Sequence, residues 1–466
     1  MSEVNSNDLT EINGADDVFA LYDGVGNNSK AGIEVELSFF DPSKPDSPVM
    51  DLQQNTQLKN VVDSDWLHNE PTSELLEVAS IAAPFSQMKG VLKDTNDKIK
   101  ILADAASKLG LKRSYFQELP DKTASELLSR IVDIDRYKIM YAPYRADMKK
   151  CVEYFAVCKS NQVSISPKTS DHMLENIRRL YLLAPFLFLL TDNSAGFSEG
   201  KPFKNHIGMS MRHDGLANWR GGGLPPYLFT AKSGAEFIEN HINNVMNNPL
   251  FMYYDRDGKL TGVPSGDNSV TFNSLKSRGL NISSNYYLAQ STIWPDVKIA
   301  TLKDNDGTVS GHRYEARMFG VGMHQHQSAF IITSALAFHR DFAAQIDELL
   351  ARYGFVGDNC YELLQKSYKN AREHDGKFFD IAYGTGIMAE FAKEFADLIE
   401  NIASDIDMSH EMRPILDICR SGYTDGKVNR ILFPNLSDVT NFQKTYDSGV
   451  FENPNICAYM LFADKL

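Results

Sequence analysis

The chain is short of positive charge. It has 47 lysines and arginines against 61 acidic residues in a total of 466, a formal net charge of -14. That balance argues against general binding of nucleic acid or anionic membrane, since both reward the opposite sign. Cysteine is scarce as well: there are five, an odd number, with no Cys-x-x-Cys spacing. A disulfide framework or zinc ribbon is not expected, and a reduced cytoplasmic setting is. The longest apolar run, Leu180 to Leu190, is too short to span a bilayer and contains Pro185. Residues 1–30 are polar and acidic, without the apolar segment of a signal peptide. No internal repeat and no low-complexity tract is visible. What remains is an ordinary globular composition, 43% hydrophobic with a mean hydropathy of -0.31, enough for a large core.

The most informative stretch is Gly32-Ile33-Glu34-Val35-Glu36-Leu37. Its period-two alternation predicts a β-strand with Ile33, Val35 and Leu37 on one face and Glu34 and Glu36 on the other. Two carboxylates one strand-repeat apart repel, and a cation relieves that repulsion. Hard divalent ions such as Mg²⁺ take carboxylate oxygens together with waters and substrate phosphates. A solvated strand face would show the same isolated pattern, so the rest of the chain has to decide. A second acidic block follows at residues 65–84, where Leu75, Glu77 and Ala79 share one predicted strand face, with Glu70 seven positions before Glu77.

Apolar spacing then turns helical from Pro84 to Leu109, ending at Gly110. Residues 124–141 also read as helix, and 146–158 less clearly so. Gln162 to Ser166 alternates as a strand, and Ser170-Asp171 is placed to cap an apolar helix over 172–190. A glycine-rich passage follows, from Gly196 to Pro226. Asp255-Arg-Asp-Gly258 and Asp304-Asn-Asp-Gly307 are tight-turn signals between strand pairs, without the further ligands of a calcium loop. His312 to Phe319 puts Arg313, Glu315 and Arg317 on one strand face. Helical periods dominate 328–352, 358–373, 384–404 and 409–420. His324-Gln-His326 has a spacing that could chelate zinc on a strand, but no third ligand stands at a recognisable distance. A packing or helix-start role fits that pair better.

Several of these passages resemble, in order, the glutamate–cysteine ligase superfamily, the carboxylate–amine ligases related to glutamine synthetase. Gly32 to Leu37 resembles the opening strand, and Glu70 and Glu77 the second acidic block with its metal-binding glutamate. Gln162-Val-Ser-Ile-Ser is similar to the QVNLD strand of the plant and proteobacterial branch. Asn193 to Lys201 is similar to ANSPFxEGK, Gly208-Met-Ser210-Met-Arg212 to GxxSxR, Gly223-Leu-Pro225 to a GLP, and Tyr314-Glu-Ala-Arg317 to YIEMR. The match covers roughly residues 31–320. It departs at Gly320, which replaces a family acid, at Ser166, which replaces an aspartate, and at Ala195, which replaces a proline.

The resemblance implies an α+β fold: a curved antiparallel β-sheet of the glutamine synthetase-like kind, with flanking helices and a helical C-terminal third. The layout expected is a loose acidic start over 1–28, a catalytic sheet body over 29–326, and a mostly helical part over 327–466 packed on the same body. The implied activity is ATP-dependent coupling of a glutamate carboxylate to an amine, with cysteine as the default acceptor and ATP with two or three Mg²⁺ ions as cofactors. On that pattern Glu34, Glu36, Glu70, Glu77 and Glu315 are the expected metal ligands. Arg212, Arg317 and Glu315 are the expected catalytic groups. Lys201, Arg212, Gln162, Asn193 and Ser210 are expected to bind nucleotide or orient substrate. Arg212 suits phosphate because its planar fork binds anions bidentately. The departures leave two alternatives open: the same chemistry with another amine, or a non-catalytic nucleotide-binding paralogue. The partners expected are small molecules, with neither nucleic acid nor membrane, and the oligomeric state is left open.

Overall fold

The structure is a computed structural model. It describes residues 9–142, 158–203, 223–264, 266–304, 307–451 and 453–466. Eleven strands build the sites of interest: β1 (Ala31–Phe40), β2 (Leu67–Asn69), β3 (Leu75–Ala79), β4 (Lys112–Arg113), β5 (Asn161–Ile165), β6 (Phe197–Ser198), β7 (Lys201–Pro202), β8 (Met252–Tyr254), β9 (Leu260–Gly262), β10 (Val297–Lys303) and β11 (Val309–Phe319). Seven of them form one curled sheet in the order β10-β11-β5-β1-β3-β2, with β4 paired to the end of β1. Every pairing in it is antiparallel. β6–β7 and β8–β9 are separate hairpins.

The alternation in the sequence becomes two chemically distinct faces. Ile33, Val35, Leu37, Leu76, Val78, Val163, Ile165, Tyr314, Ala316 and Met318 are all buried in the main core. Three helices cover that face: Met88–Lys108, Ser170–Leu190 and Gln325–Phe338. The Ser170–Leu190 helix is apolar almost all round, as a helix enclosed in a core must be. The helices after residue 338 pack outside these, so the C-terminal third is helical as expected. Among the described residues no helix is long and apolar enough to cross a membrane.

Several sequence expectations need correction. The single helix over 124–141 is two short ones, Ala124–Leu128 and Asp135–Met140. The backbone between them is drawn onto the turn before β3: Arg130 O accepts from Ser73 N (3.0 Å) and Val132 N donates to Pro71 O (3.0 Å). Pairing with that turn satisfies the same groups a continuous helix would use. The cap of the apolar helix is Thr169, one residue earlier than Ser170, and its side chain accepts from His172 N. The helix expected over 328–352 breaks at His339, whose Nδ1 accepts from Phe342 N (3.2 Å) and caps a second helix, Arg340–Arg352. The start of the chain is not loose from residue 9 onward. Ile12, Val18 and Tyr22 are buried, because Tyr22 stacks on His312 of β11 and its hydroxyl meets that of Tyr286 at 2.8 Å. The segment 146–158 lies almost wholly outside the described residues.

Candidate active site

The polar face of the sheet carries the site, and register explains how. In β1, Glu34 and Glu36 point away from the core; Glu36 stands opposite Glu77 of β3, and Glu34 opposite Gln162 of β5. On β11, Glu315 pairs across with Lys298 of β10. Glu70 follows β2 and turns its side chain onto the same ground. Glu36, Glu70 and Glu77 each bring a carboxylate oxygen within 4.8 Å of the other two, and all three are buried.

Three buried carboxylates at that spacing should repel strongly. Their protonation reflects it. Burial, then the charges of Glu77 and Glu36, push the Glu70 carboxyl well above its ordinary value. Burial raises Glu77 too, with Glu36 and Glu315 adding to the effect. Glu70 Oε1 is buried and has no hydrogen-bond partner. Neutral amide and backbone donors hold the remainder: Ser160 N and Gln162 Nε2 each donate to Glu36 at 2.6 Å, and Gln162 Nε2 reaches Glu77 at 3.3 Å. The donor set is all hard oxygen and one oxygen of Glu70 lacks a partner, which suits Mg²⁺ better than zinc. Glu36, Glu70 and Glu77 would hold such an ion.

Across Gln162 the character reverses. Arg317 Nη1 donates both to Gln162 Oε1 and to Glu315 Oε1. Arg313 Nη2 sits 3.3 Å from Glu34 Oε1 and 3.3 Å from Glu315 Oε2. Burial alone would raise Glu315, but Arg317, Lys298 and Arg313 outweigh it and hold the carboxyl far below the usual range. Glu315 is therefore an ionised partner of arginines. Glu34 stands at the rim with Arg313; burial and Glu77 raise it to about 7. Of the five glutamates expected from the sequence, the structure gathers three and places the other two among cations.

The remaining expectations fall elsewhere. Gln162 is central, linking acidic and cationic groups. Asn193 is fully buried but spends its side chain on Tyr115 O (2.8 Å), Val321 O (3.2 Å) and Asn429 Nδ2 (2.9 Å), so it fastens the C-terminal helices instead of reaching the carboxylates. Lys201 is exposed on the β6–β7 hairpin and joins none of these contacts. Ser210 and Arg212 lie outside the described residues. His324 and His326 part company. His324 meets Ser328 Oγ (2.8 Å) and Asp425 Oδ2 (3.3 Å), while His326 meets Asn96 Oδ1 (2.8 Å). Burial drops His326 to about 3, and neither belongs to a metal-ligand group among the described residues.

Two buried lysines went unnoticed in the sequence. Lys298 beside Glu315 is pushed down to about 7 by burial, against the pull of Glu315. Lys159, also about 7 through burial, donates to Ser38 Oγ (2.9 Å) one strand-repeat beyond Glu36. Lys298 comes to stand opposite Glu315 only because the β10–β11 register shifts by one between Leu302 and Lys303, an irregularity that the turn residues do not announce. Open clefts flank the polar face. One of about 560 Å³ is lined by Glu34, Arg313, Lys30, Ser164 and Ser166. The other, about 600 Å³, is lined by His68, Arg136, Tyr137, Tyr254 and Lys259. Each has the size of a small-molecule site.

No family model matches the chain, and no curated protein matches it. Among solved structures it is similar to glutamate–cysteine ligase from Francisella tularensis in complex with AMP, over 91% of this chain and 91% of that one, at 10% identity and a TM-score of 0.45. It is also similar to a bifunctional glutathione synthetase from Pasteurella multocida, over 92% of this chain and 52% of that one, at 10% identity and a TM-score of 0.41. Likenesses of this size carry no weight for the chemistry, which rests on the side chains.

Proposed function

We propose that the chain is an ATP- and Mg²⁺-dependent carboxylate–amine ligase that activates the γ-carboxylate of glutamate and joins it to an amine. The observation that carries this reading is the buried group Glu36, Glu70 and Glu77 facing the arginine-paired Glu315 across Gln162. The ordered motif resemblance supports the same reading.

A carboxylate does not acylate an amine in neutral water until one oxygen becomes a leaving group. Transfer of the γ-phosphoryl group from ATP to the carboxylate oxygen leaves ADP and gives an acyl phosphate. The amine lone pair then attacks the acyl carbon, an amide bond forms, phosphate departs with its bonding pair, and the nitrogen gives up one proton to the departing phosphate or to solvent. Bound divalent ions would supply charge neutralisation on the phosphates. The chain's own part is positioning and electrostatics. Arg317 is held rigid by Glu315 and Gln162, so its remaining donors are preorganised. Gln162 keeps Glu36 and Glu77 oriented.

Cysteine is the default acceptor, and Gly320 is the reason to test others. A Cβ there would sit 2.3 Å from Thr191 O and 2.5 Å from Gln117 Oε1, so no side chain fits where the superfamily pattern has an acid. The test is release of ADP and phosphate with Mg²⁺, glutamate and a panel of amines, with products identified by mass spectrometry. Turnover that requires glutamate and one amine class supports the ligase; ATP hydrolysis indifferent to both contradicts it. A cysteine product separates the default acceptor from a specialised one.

A further inference from the structure

Between the two clefts, against the β10 edge, lies a small chamber of about 50 Å³ lined by Arg136, Lys298, Arg313 and Glu315. That is room for a few waters, or for one carboxylate or phosphoryl group. Arg136 also lines the 600 Å³ cleft, and Arg313 also lines the 560 Å³ cleft, so the chamber shares a wall with each. Its charge is not balanced from within. Glu315, the one acid on its wall, is already engaged by Arg317 and Arg313. Lys298 Nζ spends one of its three donors on Ser291 O (3.1 Å), and Arg136 Nη2 donates to the same carbonyl at 3.4 Å. Arg136 Nε and Arg313 Nε are buried and have no partner. A buried guanidinium N–H without an acceptor costs free energy that an incoming oxygen would recover.

We propose that the chamber walled by Arg136, Lys298 and Arg313 is an oxyanion subsite that receives one carboxylate or phosphoryl group of a small-molecule substrate, beside the metal-binding carboxylates. The identity of that substrate rests on the ligase reading; the existence of the subsite does not. The shared carbonyl of Ser291 closes the Ser283–Ser291 helix, and two cations at a helix C-terminus are favourable there. The helix end thus keeps both cations in place when the chamber is empty.

Wild type, Lys298→Met and Arg136→Gln are titrated with inorganic phosphate and with glutarate, followed by thermal unfolding. The same proteins are titrated by calorimetry with L-glutamate, with Mg²⁺–ADP and with a non-hydrolysable Mg²⁺–ATP analogue. The subsite predicts that phosphate or glutarate stabilises wild type and that both variants lose most of that shift. Substrate affinity should weaken by about tenfold to a hundredfold, the range for a lost charged hydrogen bond. Weakening of glutamate alone identifies a carboxylate as the occupant. Weakening of the ATP analogue but not of ADP identifies the γ-phosphoryl group. Arg136→Lys should recover part of the loss. Should Lys298→Met not fold, half-buried Arg136→Gln carries the comparison. The subsite is overturned if wild type gains nothing from either anion, or if folded variants respond as wild type does; the two cations then serve only the helix end. A wild type that binds phosphate through these residues yet turns over no substrate would end the ligase reading and leave the subsite standing.

Discussion

The polar face of one sheet holds two halves of opposite sign. On β1, β3 and the turn after β2, Glu36, Glu70 and Glu77 crowd together, and Glu70 and Glu77 hold their protons more tightly than usual. On β10 and β11, Lys298, Arg313 and Arg317 surround Glu315, which burial would raise but which they keep ionised. Similar burial gives opposite outcomes, decided by the sign of the nearest neighbours. The acidic half wants a cation and the basic half an anion; Gln162 spans both by donating to Glu36 and accepting from Arg317. A metal–nucleotide and a carboxylate substrate together present that pair of charges.

The comparison can be broken at several points. Glu77→Gln should lower ligase turnover about a thousandfold, the order expected for losing one fixed electrostatic partner of the transition state, with the far-ultraviolet dichroism unchanged; kcat measures it. Arg317→Met strips Glu315 of its closest partner, leaving the buried charge to Arg313 and Lys298 alone and Gln162 Oε1 without its donor. Urea unfolding should show a loss of about 3–5 kcal/mol. The double variant Arg317→Met/Glu315→Gln should recover much of that stability but none of the turnover.

Protonation sharpens the contrast. Glu70 and Glu77 are raised, so Mg²⁺ bound between them must displace protons as pH falls. Calorimetry should find Mg²⁺ affinity weakening as pH falls, by about tenfold per pH unit for each proton displaced. A flat profile from pH 8 to 6 would mean the ion sits elsewhere.

Glu118 belongs to neither half and offers a control with the smallest effect on turnover. It is buried, raised from 4.5 to about 8 by desolvation, and accepts from Ala195 N. A raised carboxyl stabilises the fold fully below its unfolded value, and that contribution is lost as pH rises through the folded value. Glu118→Gln should therefore gain on wild type between pH 4.5 and 8, by up to about 1.4 kcal/mol per pH unit in urea unfolding. Turnover should stay within about twofold of wild type.

Much of the acidic half was legible in the chain. Alternation at Gly32 to Leu37 set Glu34 and Glu36 on one strand face and alternation at Leu75 to Ala79 set Glu77 on a face of another strand; that these faces meet was implied only by the resemblance. The cationic half was less legible for a physical reason. A lone lysine in Val297-Lys298-Ile299 reads as a solvated strand residue until the hairpin register sets it against Glu315. Arg136 was hidden by the expectation of one long helix over 124–141. Its position depends on residues 130–132 pairing with the turn before β3, a contact between distant segments that no local period records. Asn193 misled in the opposite sense: the resemblance implied an amide that orients substrate, but that amide is consumed by packing of the C-terminal helices.

The claim beneath the rest is that Glu36, Glu70 and Glu77 act jointly on one divalent ion. Electron paramagnetic resonance of Mn²⁺ titrated into wild type and into Glu36→Gln, Glu70→Gln and Glu77→Gln tests it without any assumption about substrate. The account predicts saturable binding that Mg²⁺ displaces, weakened at least about tenfold in each variant. Equal Mn²⁺ binding by all four proteins would contradict it.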